Sequence, residues 1–128
     1  VEAVVNGLRA SQGQFPYMAS LQNLQGSHVC GAAVIHERFV LTAGHCIHDE
    51  VEADFLIEYG NIELNEPDRT VAIIEKFYMH PNYTPEVYRV DSDQSDLSSS
   101  DLDSSDSEER SVRMYIDKPM RHDIALIK

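Results

Sequence analysis

Phe39-Val40-Leu41-Thr42-Ala43-Gly44-His45-Cys46 is the stretch of this chain with the clearest capacity for chemistry. An apolar run reads as a buried strand, two small residues follow, and a histidine stands at its end. Imidazole changes protonation near neutral pH, so a histidine fixed in this way suits general acid–base work. A histidine beside a cysteine is otherwise an ordinary turn residue. Cys30 lies 16 positions before Cys46, in Val29-Cys30-Gly31-Ala32-Ala33-Val34-Ile35. Adjacent strands around a turn at Ile35-His36-Glu37-Arg38 would let the two cysteines form one disulfide; two unrelated buried thiols are the other reading. A disulfide would pin the peptide carrying His45, stabilise by ~2–4 kcal/mol and imply an oxidising compartment.

The remaining histidines (His28, His36, His48, His80 and His122) show no metal pattern backed by further ligands. His45 and His48, three apart, read as a base and a surface residue rather than a zinc pair. No metal and no cofactor is expected. Asn82-Tyr83-Thr84 is a glycosylation sequon, weakened by Pro85.

The elements that must position these residues are strands. Tyr17 to Gln22, Val29 to Ile35, Phe39 to Ala43, Phe55 to Tyr59 and Val71 to Tyr78 are short runs rich in Val, Ile, Leu, Phe and Tyr. Turn-forming clusters such as Gln25-Gly26-Ser27 and Asn65-Glu66-Pro67-Asp68 separate them. No segment holds a 3.6-residue period long enough for a long helix. Order resumes near Val112-Arg113-Met114-Tyr115-Ile116, and Asp123-Ile124-Ala125-Leu126-Ile127-Lys128 reads as a strand. The pattern predicts an antiparallel all-β sandwich or barrel.

At 128 residues the chain has room for one domain. It carries 22 acids against 10 bases, but eight of the acids fall between Asp91 and Glu109, where there is no base. Outside that stretch 14 acids face 10 bases, an ordinary soluble surface. Asp91 to Glu109 holds eight serines and only two leucines, too little apolar surface to offset the entropy of ordering, so a disordered loop is expected. Nucleic acid is not an expected partner, since no basic patch is visible. No apolar run reaches membrane-spanning length, so no membrane segment is expected. The start, Val1-Glu2-Ala3-Val4, has neither a Met nor a signal-peptide pattern, which suggests a processed product or an excerpt.

Taken in order, these segments resemble the trypsin/chymotrypsin-like serine protease family. Val4-Val5-Asn6-Gly7 is similar to its activated amino terminus, and Phe15-Pro16-Tyr17-Met18-Ala19-Ser20-Leu21-Gln22 to its first barrel strand. Cys30 to Ile35 and Val40 to Cys46 resemble the block around the catalytic histidine. His80-Pro81-Asn82-Tyr83 resembles the approach to the aspartate loop, and Asp123 to Lys128 the block around the catalytic aspartate. The resemblance implies that His45 is the general base, that Asp123 orients and stabilises its imidazole, and that Val4 is the amino terminus after activation. It implies an incomplete Greek-key β-barrel over residues 1–128, with an acidic insertion at about 84–121. It also implies a secreted serine endopeptidase acting on protein or peptide substrates.

The family's Gly-Asp-Ser-Gly-Gly block, which carries the nucleophile, does not occur in these 128 residues. A His-Asp pair without a nucleophile cannot form an acyl-enzyme. The expectation is therefore a first barrel, inactive alone, whose partner is the second barrel of the same protease. The barrel face meant for that partner should expose apolar side chains. Ala3 stands where the family has Arg or Lys before the activation cleavage. Gly44 replaces the usual alanine, which should loosen the turn slightly. Asn61 takes the place of an acidic calcium ligand.

From Tyr83 to Asp123 the chain takes 40 residues over a step the family makes with a short loop. An acidic rim over the cleft would favour basic peptides and repel acidic ones; a solvated insertion without a role is the plainer alternative. Ser98, Ser100 and Ser105 each have an acid three residues on, the pattern acidophilic kinases prefer. Two other functions compete with proteolysis: a non-catalytic protease homologue acting as a secreted binding module, and an acidic calcium- or mineral-binding protein on a relic barrel.

Overall fold

In a computed structural model, Met18–Asn23 (β1) alternates about a sheet so that Ala19 and Leu21 enter the apolar core. The structure describes residues 4–91 and 113–128. Two units can be distinguished, residues 4–83 with 122–128 and residues 84–121, of which the former carries the core.

The first unit is built from β1, His28–His36 (β2), Phe39–Thr42 (β3), Phe55–Tyr59 (β4), Thr70–Ile73 (β5), Phe77–Met79 (β6) and Ala125–Ile127 (β9). They form one antiparallel sheet in the order β5-β4-β1-β2-β3-β9-β6. Its edge strands β5 and β6 are consecutive in the chain, joined only by residues 74–76. That link can reach about 14 Å, whereas seven flat strands would put the edges about 29 Å apart. The sheet must therefore curl until its edges approach, and this curl gives the all-β half-barrel.

The sequence suggested one strand from Val71 to Tyr78. The chain instead breaks at residues 74–76, where Ile74 is buried and Glu75 and Lys76 donate their amides to the Lys128 carbonyl. Inside the curl, Leu21, Ile57, Ile74, Ala125 and Ile127 pack with Ala19, Ala32, Cys46 and Ile47. β-branched and aromatic residues suit these strands because they pack on a pleated, half-buried surface.

The outer face of β1 is also buried, and it is polar. Ser20 sits opposite Glu58, and Gln22 opposite Leu56. The Gln22 side-chain amide donates to Glu58 Oε2 at 2.7 Å and to Ser20 Oγ at 3.2 Å. The Asn65 backbone amide donates to the same carboxylate, and the Arg69 guanidinium lies 3.6 Å from it. A buried carboxylate is tolerable only when its lone pairs are filled in this way.

In the second unit Val87–Asp91 (β7) pairs antiparallel with Arg113–Lys118 (β8), and Thr84 and Arg121 exchange both backbone hydrogen bonds below them. Order does resume near residues 112–116, as strand β8, and its partner β7 is a strand the sequence did not suggest. Val87, Tyr88, Val90, Tyr115 and Ile116 supply the β-forming residues. The register puts Tyr88, Val90, Met114 and Ile116 on one face; Arg89 and Asp117 form an ion pair at 2.9 Å. The acidic stretch from 92 onward, with Ser98, Ser100 and Ser105, lies outside the described residues.

Candidate active site

Two register positions bring the chemistry together. Thr42 on β3 pairs with Ala125 on β9. His45 stands three residues beyond Thr42, and Asp123 two residues before Ala125, so both project from the same end of adjacent strands. A 3-10 turn, Gly44–Cys46, makes the corner after β3, and His122 takes a left-handed φ of 54° before Asp123. Histidine is among the residues enriched in that region.

His45 Nδ1 lies 2.7 Å from Asp123 Oδ2, and the His45 backbone amide donates to Asp123 Oδ1, also at 2.7 Å. The carboxylate is thus held at two points by one residue. Desolvation pushes the Asp123 carboxyl upward, but the hydrogen bonds from the His45 amide and imidazole, with the nearby Gly44 amide, outweigh it. The net effect keeps this group ionised to a lower pH than an ordinary aspartate. With Asp123 ionised, Nδ1 must be the protonated ring nitrogen of the neutral imidazole, which leaves the Nε2 lone pair free. The His45 side chain is about half exposed at 51%, so Nε2 can meet a reacting group.

Cys30 and Cys46 are joined as a disulfide, with Cα atoms 6.2 Å apart. The bond ties β2 to the turn carrying His45, and Cys46 Sγ lies 3.7 Å from His45 Nε2. These three residues are close enough to suggest a metal site. In the disulfide neither sulfur is a thiolate, the form that binds metal.

The structure corrects the expectation about Gly44. A Cβ there would lie 2.9 Å from Met79 Sδ, 2.9 Å from Tyr83 Cδ2 and 3.2 Å from Tyr83 Cε2. The missing methyl does not loosen the turn; its volume is occupied by Met79 and Tyr83. The contact is not legible locally, because Tyr83 lies 39 residues further along the chain. Tyr83 also packs on His48, with ring centroids 5.1 Å apart. His80 and His122, beside the same corner, stack at 4.8 Å with nearly parallel rings.

The other sequence candidates lie apart from this pair. Val4 is exposed in the first turn described. Asn82 is exposed, its backbone amide donating to His80 Nδ1 at 3.0 Å. Asn61 accepts a long hydrogen bond, 3.5 Å, from the Gln12 side chain. A groove of about 730 Å³ runs between residues 10–18 and 58–64, with Phe15, Tyr17, Met18, Ile62 and Leu64 among its apolar walls. The Ser20 hydroxyl and His28 Nδ1 meet at 2.7 Å beside it. No helix among the described residues is long and apolar enough to cross a membrane.

Residues 4–128 match the Trypsin family profile, and the chain belongs to that family. It is similar to human Azurocidin, 41% identical over 66 residues, which are 52% of this chain and 26% of that protein. It is also similar to a Trypsin of Sarcophaga bullata, 32% identical over 83 residues, which are 65% of this chain and 32% of that protein. The matches thus span about a quarter to a third of the length of these relatives.

Proposed function

We propose that this chain supplies the general base and its orienting carboxylate to a serine endopeptidase. The observation that carries this reading is the two-point contact between His45 and Asp123, on the residues the family's motifs single out. In this mechanism His45 Nε2 removes the proton from a serine hydroxyl as that oxygen attacks the scissile carbonyl. The same nitrogen then returns the proton to the leaving amine, while Asp123 stabilises the imidazolium. The serine and its oxyanion-binding amides come from outside these 128 residues, so this stretch alone does not hydrolyse peptides. Residues 1–128 form the first barrel, with the insertion at 84–121, and the apolar groove beside Phe15 and Tyr17 suits the second barrel as its cover. Val4 becomes the amino terminus on activation. The disulfide favours a secreted protein, and the eight acids between Asp91 and Glu109 favour basic peptides as substrates.

The test joins residues 1–128 to the part of the Sarcophaga bullata trypsin that follows its own counterpart of Asp123–Lys128. Peptide hydrolysis is expected, falling on the order of 10⁴-fold in Asp123→Asn, the loss this change brings in a Ser-His-Asp triad. His45→Ala should be at least as damaging. A folded chimera with no activity would favour the binding-module reading. Deleting 92–109 should narrow the preference for basic over acidic peptides; unchanged selectivity removes that part of the proposal.

A further inference from the structure

Residues 80–83 contact the chain neighbours of both members of the His45–Asp123 couple. At one end, the His80 amide donates to the Ile124 carbonyl at 3.2 Å, one residue beyond Asp123. At the other, the Tyr83 amide donates to the His80 carbonyl at 3.0 Å and closes the turn. The Tyr83 ring then lies against Gly44, so close that no Cβ fits between them, and against the imidazole of His48. Gly44 and His45 contribute the two backbone amides that act on the Asp123 carboxylate.

We propose that Tyr83 is a positioning residue for this couple: its ring, set by the 80–83 turn, fixes the Gly44–His45 peptide and so the amides that receive Asp123. This rests on the proposed base role of His45 and deepens it. The electrostatic setting agrees with the packing. Burial pushes the Tyr83 phenol up, and the Asp123 and Asp49 carboxylates push it further, which places the ring within electrostatic reach of Asp123. Packing of the ring, not the hydroxyl, does the positioning, because the close contacts at Gly44 are with Cδ2 and Cε2. Glycine at 44 is what allows the ring to come this near.

The consequence is a tautomer effect. With the amides in place, Asp123 Oδ2 faces His45 Nδ1 and selects the Nδ1–H form of the neutral ring. Without the ring at 83, the peptide gains freedom, the carboxylate rotates and hydrates, and the Nε2–H form enters. A residue that served stability alone would alter the melting temperature and leave the tautomer of the folded protein unchanged.

The experiment is long-range ¹H–¹⁵N NMR of the imidazoles in the full chain at alkaline pH, comparing native protein, Tyr83→Phe, Tyr83→Ala and Asp123→Asn. Native protein and Tyr83→Phe should show His45 as Nδ1–H, while Tyr83→Ala shows a mixture with at least a several-fold loss of that form. His36, on β2, serves as the unaffected reference. A His45 tautomer unchanged in Tyr83→Ala but altered in Asp123→Asn would overturn the positioning role alone. A tautomer unchanged in Asp123→Asn would instead overturn the His45–Asp123 reading. Should circular dichroism show Tyr83→Ala unfolded, Tyr83→Leu carries the same comparison.

Discussion

Replacing Gly44 by alanine, the residue the family usually has there, should destabilise this chain. Gly44 is not among the residues with positive φ, so the backbone itself accepts a side chain. Stiffening the unfolded chain would then contribute roughly 0.4–1 kcal/mol in favour of the variant. Against this, the new methyl would sit 2.9 Å from Met79 Sδ and from Tyr83 Cδ2, where carbon contacts prefer about 3.5–4.0 Å. Met79 can swing its thioether aside. The Tyr83 ring has less room, being packed on His48 and tethered through the His80 turn. Overpacking of this kind costs about 1–3 kcal/mol, so the net loss should be about 1–2 kcal/mol. For a unit of this size that lowers the thermal midpoint by ~5–10 °C. Thermal unfolding by circular dichroism on the oxidised chain would measure it. Gly44→Ala combined with Tyr83→Ala should cost less than the sum of the two changes, because the second makes space for the first. An alanine variant as stable as the native chain, or more so, would refute the tight contact.

Breaking the disulfide with Cys30→Ala and Cys46→Ala should cost about 3 kcal/mol, the chain-entropy value for a loop near 15 residues, read as a shift in the denaturant midpoint. Asp123 is held below its ordinary pKa, so its contribution to stability is complete above the unfolded-chain value, about 3.9, and disappears as pH falls through the folded value. Unfolding free energies across an acid pH series should therefore drop below about pH 4, less steeply in Asp123→Asn. Glu52, held low chiefly by the Phe77 amide, keeps its own part of the acid slope in that variant. Glu58→Ala would strand Gln22 and the Asn65 amide around an emptied buried site, at a cost of about 3–5 kcal/mol; a change under 1 kcal/mol would argue that water replaces the carboxylate.

Much of the barrel was legible because strand residues and turn residues alternate cleanly. The Phe55–Tyr59 strand was read with its observed bounds, and β1 to β3 differ from expectation by one residue or so at their ends. Such ends depend on pairing partners that a linear pattern does not contain. The break at residues 74–76 was hidden for a related reason: Ile74 is apolar like its neighbours, and only closure of the sheet makes the chain turn there. At the site, His45 stood out locally as a histidine closing an apolar run, whereas Asp123, 78 positions on, was reached only through the family's motif residues. The buried Ser20–Gln22–Glu58 cluster was not legible, because polar residues alternating along a strand have the same pattern as a solvent face. Loop residues Asn65 and Arg69 cover that face from outside the strands. Order at residues 112–116 was legible from their Val, Met, Tyr and Ile, but β7 and its pairing with β8 were not, because the partner lies across the acidic stretch.

Neutron diffraction from crystals of the chain grown at alkaline pH would locate the proton shared between His45 and Asp123. A hydrogen is expected on His45 Nδ1, directed at Asp123 Oδ2 across 2.7 Å, with Nε2 bare. A hydrogen on Nε2, or an imidazole turned away from the carboxylate, would contradict the proposed base role of His45.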